Sequence, residues 1–181
     1  MKIVVTNFKG GVGKSTLVLS LADVLPNSQV VDIDPQGTLR IGASLTNRHV
    51  PVSPEEVTGK YIIFDTPPYH GIQTKNHFES ADLIIIPSKV SFTDLVATKT
   101  VIDDLRDLKM AEKSVIVFNE VRKPHNKTYD EAKALFYSNF KEIKKAKTEL
   151  SNLVAFSRII SEEISGQAKR EAEQLVRELN I

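Results

Sequence analysis

The sequence predicts a doubly wound α/β domain, a mainly parallel sheet flanked by helices. Three observations carry that expectation. First, short and almost purely apolar runs recur along the chain, among them Tyr61-Ile62-Ile63-Phe64, Leu83-Ile84-Ile85-Ile86 and Val115-Ile116-Val117-Phe118. Strands buried on both faces read as uninterrupted apolar runs, as in parallel sheets. Second, the segments between them carry apolar residues at helical spacing. Third, strand and helix patterns alternate, which favours a parallel sheet with ligands at the carboxyl ends of its strands.

Strands are expected near residues 2–6, 29–34, 60–65, 82–87, 114–119 and 152–156. Four helical stripes stand out. They are Leu17, Leu21 and Val24; then Leu95, Thr98, Val101, Ile102, Leu105 and Leu108; then Ala132, Phe136, Phe140 and Ile143; and finally Ala168, Ala172, Leu175 and Leu179. Residues 38–59 contain Pro51 and Pro54 and receive no assignment. With no internal repeat or linker, residues 1–181 read as a single domain.

Composition narrows the function classes. The 181 residues are 41% hydrophobic and 26% charged, an ordinary balance for a globular chain. Such a length buries roughly 70% of its unfolded surface. The chain has no cysteine, which excludes disulfides, thiolate metal sites and iron–sulfur clusters and suits a reducing cytoplasm. Met1-Lys2 runs straight into a three-residue apolar stretch, too short for a signal sequence, and no segment approaches twenty apolar residues. A soluble, cytoplasmic protein is expected. Its net charge of +1 announces no nucleic-acid binder as a whole, so any such activity must come from a local patch. His49, His70, His77 and His125 are scattered in loop-like settings and point to no metal cluster.

The first strand leads into Lys9-Gly10-Gly11-Val12-Gly13-Lys14-Ser15-Thr16, where a helix opens. Strand, glycine-rich loop and helix N-terminus form the context of a P-loop. Glycines at 10, 11 and 13 let the main chain approach phosphates closely, with inward N–H groups and the positive end of the helix dipole behind them. Lys14 would reach the β- and γ-phosphates and Ser15 would place its hydroxyl on Mg²⁺. Phe8 stands where the strict pattern requires glycine, so the loop is a variant.

Two aspartate motifs follow. Val31-Asp32-Ile33-Asp34-Pro35-Gln36-Gly37 is expected to set Asp32 and Asp34 on one side of a strand end, facing the loop. One would help to hold hydrated Mg²⁺ and the other would orient a water. Phe64-Asp65-Thr66-Pro67-Pro68 places a further aspartate after a buried strand, the usual magnesium position of a P-loop protein.

Taken together, the loop at residues 9–16, Asp32-Ile33-Asp34-Pro35-Gln36-Gly37 and Asp65-Thr66-Pro67-Pro68 resemble the deviant Walker A ATPases, and within them the ParA-type DNA-partition ATPases. The extra lysine, Lys9, defines the deviant class. The resemblance implies an ATP-dependent sandwich dimer in which Lys9 crosses to the phosphates of the other subunit. It assigns Asp34 to the attacking water, Ser15 and Asp65 to magnesium and Thr16 to a phosphate contact. The short stretch between Asp34 and Asp65 marks a compact form. Nothing precedes the first strand, so no helix-turn-helix is expected, which argues against operator binding. The resemblance further implies non-specific DNA binding, a centromere-binding ParB-like or small adaptor partner, and nucleoid association.

The base is expected to be adenine. Guanine-specific relatives follow the fifth strand with a motif whose fourth residue, an aspartate, accepts two hydrogen bonds from the base; here the run is Asn119-Glu120-Val121-Arg122, and arginine cannot accept. Asn119 is a candidate base contact or an ordinary strand-end turn. Arg122, Lys123, Lys127, Lys133, Lys141, Lys144, Lys145 and Lys147 outnumber the nearby acids. If helical, Lys141, Lys144 and Lys145 are neighbours and form the candidate DNA face. The tail from Lys169 to Ile181 has a narrow apolar stripe and mixed charges, which favours packing on the domain over membrane binding. The competing readings are a MinD-like ATP switch for another cargo and a P-loop small-molecule kinase or ligase.

Overall fold

Side chains alternate across a strand, and this divides every apolar run between two cores. Ile3 and Val5 of β1 (Lys2–Val5) face one core, while Val4 faces the other. The same division separates Ile63 from Phe64 in β3 (Tyr61–Asp65), Ile85 from Ile86 in β4 (Leu83–Ser88) and Val117 from Phe118 in β5 (Ser114–Phe118). Helices cover both faces. The first core receives Leu17 and Leu21 of α1 (Lys14–Val24), Leu39 of α2 (Thr38–Thr46), and Ala168, Ala172 and Leu175 of the C-terminal helix. The second receives Phe78 of α3 (Ile72–Glu79), Val101, Ile102 and Leu105 of α4 (Phe92–Asp107), and Phe136 of α5 (Lys127–Asn139).

The structure is a computed structural model that describes residues 1–46, 48–68 and 72–181. It is a single α/β domain. Completed by β2 (Ser28–Asp32) and β6 (Lys144–Lys145), the sheet has six strands in the order β2-β3-β1-β4-β5-β6, every pairing parallel. β1 lies between β3 and β4, so the chain reverses its direction of travel across the sheet there. That switch point opens a crevice at the carboxyl ends of β1, β2 and β3.

Two expectations require correction. The sixth strand is not at 152–156: that stretch follows a lone parallel bridge, Val121↔Ser151, and enters the short helix α6 (Val154–Ser157). The strand that pairs with β5 is the two-residue β6, whose lysines carry no strand signal because an edge favours charge over apolar side chains. The third helical stripe breaks after Asn139; Phe140 and Ile143 still reach the core, but from the turn that follows. In the unassigned region, α2 forms, and the chain beyond it covers the β2 edge, with Val52 N donating to Val30 O at 2.9 Å.

The C-terminal helix α7 (Gly166–Leu179) packs on α1 through Ala168, Ala172 and Leu175, as its narrow stripe predicts. Among the described residues, no helix is long and apolar enough to cross a membrane.

Candidate functional site

The loop after β1 is held open by its own side chains. Asn7 is fully buried; its amide donates to Pro87 O at 2.9 Å and its Oδ1 accepts from Lys9 N at 3.0 Å. Val12, also fully buried, pins the crest, and its carbonyl accepts from Asn119 Nδ2 at 2.9 Å. Gly13 caps α1 at φ +86° and carries no side chain to occupy the first-turn amides. A Cβ there would collide with the Asn119 amide. The free amides and the dipole of α1 make this end an anion site.

Lys14 bends back over the loop, with Nζ donating to Lys9 O at 3.2 Å. Burial lowers its pKa, against the charges of Asp65 and Asp34, which raise it. A cavity of about 350 Å³ is lined by Gly10, Gly11, Gly13, Lys14, Ser15 and Thr16 on one side and by Asp34, Gln36, Thr38 and Pro68 on the other.

Asp65 ends β3 beside this cavity and is 1% exposed. Ser15 Oγ donates to its Oδ2 at 2.6 Å, whereas its Oδ1 has no partner. Burial pushes the carboxyl up to about 7; the charges of Asp32 and Asp34 add to this, and the Ser15 hydrogen bond and Lys14 oppose it. An orphaned, buried carboxylate oxygen next to a serine hydroxyl fits a hard divalent cation reached through water. Among the described residues, no three His, Asp or Glu side chains form a direct chelate.

Asp32 and Asp34 do not stand side by side on a strand, because β2 ends at Asp32. Both Asp32 oxygens are taken by amides, Asp34 N at 3.1 Å and Arg40 N at 3.2 Å, so Asp32 braces the turn and reaches Asp65 through its charge. Asp34 lies in the turn, where its Oδ1 accepts from Gln36 N at 2.9 Å. Arg40, absent from the expected site, clamps both residues: its guanidinium donates to Asp32 O and Asp34 O, each at 2.9 Å. A lone arginine in an unassigned segment gives no signal in the sequence.

Lys9 does not line the cavity; its ammonium rests on Thr93 and Asp94 in the first turn of α4. Asn119 occupies the end of β5, where its N–H donates to Ser88 O at 2.9 Å. It lines a second cavity of about 250 Å³ with Thr16, Glu120, Ser151, Asn152, Leu153, Phe156 and Ser157. Thr16 lines both cavities. Ser151, Asn152, Leu153, Phe156 and Ser157 form one wall of this cavity, where 152–156 lead into α6 instead of forming the strand that their apolar run suggests.

The lysine face is also redrawn. Lys141 follows α5, and Lys144 and Lys145 form β6, so the three do not share a helix. Lys145 Nζ donates to Phe140 O and lies 5.5 Å from the centre of the Tyr137 ring, which leaves Lys141 and Lys144 exposed. Among the histidines, His77 is helical rather than in a loop, His49 Nε2 lies 2.5 Å from Asp23 Oδ1 and His125 Nε2 lies 3.2 Å from Glu149 Oε2. His70 lies outside the described residues.

A parallel sheet with a phosphate-type loop at its switch point and a buried acid beside it defines a P-loop nucleotide-binding domain. The chain belongs to the CobQ/CobB/MinD/ParA nucleotide-binding domain family, whose model (CbiA) matches residues 3–165. A search of the curated proteins by sequence found no significant match. Solved structures share the fold. A plasmid partition protein from Borrelia burgdorferi B31, bound to AMPPNP, superposes with a TM-score of 0.78 at 16% identity, covering 99% of this chain and 98% of its own. McdA of Cyanothece, in complex with ATP, gives 0.74 at 14% identity over 99% and 96%. In the MinC:MinD cell division complex of Aquifex aeolicus the figures are 0.73 at 16% identity over 99% and 95%.

Proposed function

We propose that this chain is a partition-type ATP switch. It binds ATP with Mg²⁺, dimerises on it, associates with DNA without sequence preference and hydrolyses ATP slowly until a centromere-binding partner stimulates it. One observation carries the reading: the unpartnered Oδ1 of buried Asp65, beside Ser15 and below a loop of uncapped amides closed by Lys14. That combination calls for a cation on one side and a polyanion on the other.

The amides of the loop and of the first turn of α1 bind the phosphates. Lys14 meets the β- and γ-phosphates from the position it already holds over the loop. Ser15 and Asp65 would hold Mg²⁺, which when bound would neutralise phosphate charge. Asp34, kept in its turn by Arg40 and Asp32, orients the attacking water. Lys9 of a second copy completes the site, and a cation supplied in this way is worth roughly 10³–10⁵ in rate. Thr16 leads from the phosphates into the second cavity, where Asn119 and residues 151–153 flank the base. Arg122 offers no acceptor to guanine, which favours ATP.

Size-exclusion chromatography with ATP tests the mechanism. The native chain dimerises transiently, Asp34→Ala stays dimeric, and Lys9→Ala remains monomeric. Monomers throughout, with ATP bound, would leave a nucleotide-binding domain without the switch. A MinD-like switch for another cargo is the second reading; α7 itself offers no apolar face to a membrane, because Ala168, Ala172 and Leu175 are buried in the first core, and sedimentation with lipid vesicles and ATP separates the two.

A further inference from the structure

The wall of the base cavity opposite Asn119 has little backbone support of its own. Residues 151–153 join the sheet through the single bridge Val121↔Ser151, with Asn152 N donating to Val121 O at 2.9 Å. Leu153 packs against the first core, and further support for the segment comes from α7. Glu171 Oε2 accepts from Ser151 N at 2.8 Å, and its Oε1 accepts from Ser151 Oγ at 2.6 Å. Gln167, one turn earlier, donates to the same Oε1 at 2.8 Å and orients the carboxylate. Two turns later on the same face, Glu178 takes Lys147 N at 2.7 Å and Thr148 N at 2.9 Å. Two carboxylates thus grip the loop from below, while Ala168, Ala172 and Leu175 root the helix in the core.

We propose that Glu171 is the positioning residue of the base cavity and, through Ser151, a determinant of base selectivity. The proposal rests on the cavity bounded by Thr16, Asn119 and Ser151 being the base subsite. Two charge-assisted hydrogen bonds converge on one residue, each about twice as strong as a neutral one, and fix the start of the wall. The chemistry follows from the direction of donation. Ser151 donates its only O–H to Glu171, so toward any other group its hydroxyl oxygen can offer only lone pairs, one of which already accepts from Gln167 Nε2 at 3.5 Å. A base edge that donates, such as the exocyclic amine of adenine, is accepted beside those lone pairs. The O6 carbonyl of guanine is repelled. Loss of Glu171 both loosens the wall and frees the Ser151 hydroxyl to donate, which removes the bias.

Competition binding against a fluorescent ATP analogue tests this with three ligands in Mg²⁺: ATP, GTP and inorganic tripolyphosphate, which has no base. Glu171→Ala is expected to weaken ATP roughly tenfold, to narrow the ATP-to-GTP ratio and to leave tripolyphosphate unchanged. Glu171→Gln, whose amide can still accept from the Ser151 N–H, restores most of the affinity. Ser151→Ala keeps the loop amide on Glu171 and is expected to narrow the ratio alone, so the idea stays testable should Glu171→Ala fold poorly. Unchanged selectivity in both alanine variants overturns the proposal, as does an equal loss for all three ligands. A wild-type chain that binds neither ATP nor tripolyphosphate would instead sink the nucleotide reading itself.

Discussion

Lys9 Nζ lies 2.7 Å from Asp94 Oδ1 and 3.1 Å from Thr93 Oγ1, which anchors the lysine of the deviant motif to the first turn of α4 in its own chain. The Asp94 side chain is 4% exposed and is also bonded by Ser91 Oγ, so the acceptor is well fixed. A lysine that serves a second copy must leave this contact first.

Asp94→Asn keeps the shape of the α4 cap and removes the charge that holds Lys9. A pair with one partly exposed member contributes up to about 1 kcal/mol, so ATP-dependent dimers are expected to tighten several-fold in sedimentation velocity. Weaker dimers would show that Asp94 supports the interface rather than restraining the lysine.

Gly13→Ala forces a side chain into φ +86° and against the Asn119 amide. Such backbone strain costs roughly 1–3 kcal/mol, and the displaced Asn119 releases the Val12 carbonyl. Urea unfolding should show the stability loss, and titration with ATP should show binding reduced well beyond it.

Asp23 of α1 ties down two further segments, through Arg48 NH2 at 2.9 Å and His49 Nε2 at 2.5 Å in one and Ile164 N at 2.8 Å in the other. Burial acts to raise its pKa, but the hydrogen bonds from His49 and Ile164 and the charges of His49 and Arg48 hold it below 3.8. A depressed carboxylate stabilises the fold fully above its unfolded value and loses that contribution as pH falls through the folded one. Asp23→Asn is therefore expected to cost about 3 kcal/mol at pH 7, with the gap to wild type closing below pH 3.8. Chemical denaturation of both chains from pH 7 to 3 measures it; a gap that widens toward acid would contradict the assignment.

For DNA, the exposed pair Lys141 and Lys144 should matter and Lys145 should not. The double variant Lys141→Glu/Lys144→Glu is expected to weaken ATP-dependent DNA binding and flatten its salt dependence. Lys145→Glu, which breaks the contact with Phe140 O, should act on stability instead. Fluorescence anisotropy at two salt concentrations, with thermal melts beside it, separates the two effects.

Much of the site was legible because its parts are local in the chain. Strand, glycines, Lys14 and Ser15 lie within one short run, and the helix dipole acts at its end. Asp65 was legible because a charge after four buried apolar residues can stand only at a strand end. Asp34 was legible only as a residue type: whether it extends a strand or turns depends on Arg40, which no pattern links to it.

The sequence by itself determined the alternating fold, the anion-binding loop and the acid beside it, because apolar periodicity and glycine geometry act over a few residues. Only the tertiary structure decided where Lys9 rests, that Glu171 braces Ser151, and that two lysines rather than an apolar run form the last strand. Each of these depends on partners many residues away, brought together by the packing of α4 and α7 on the sheet, and such pairings leave no local trace in the chain.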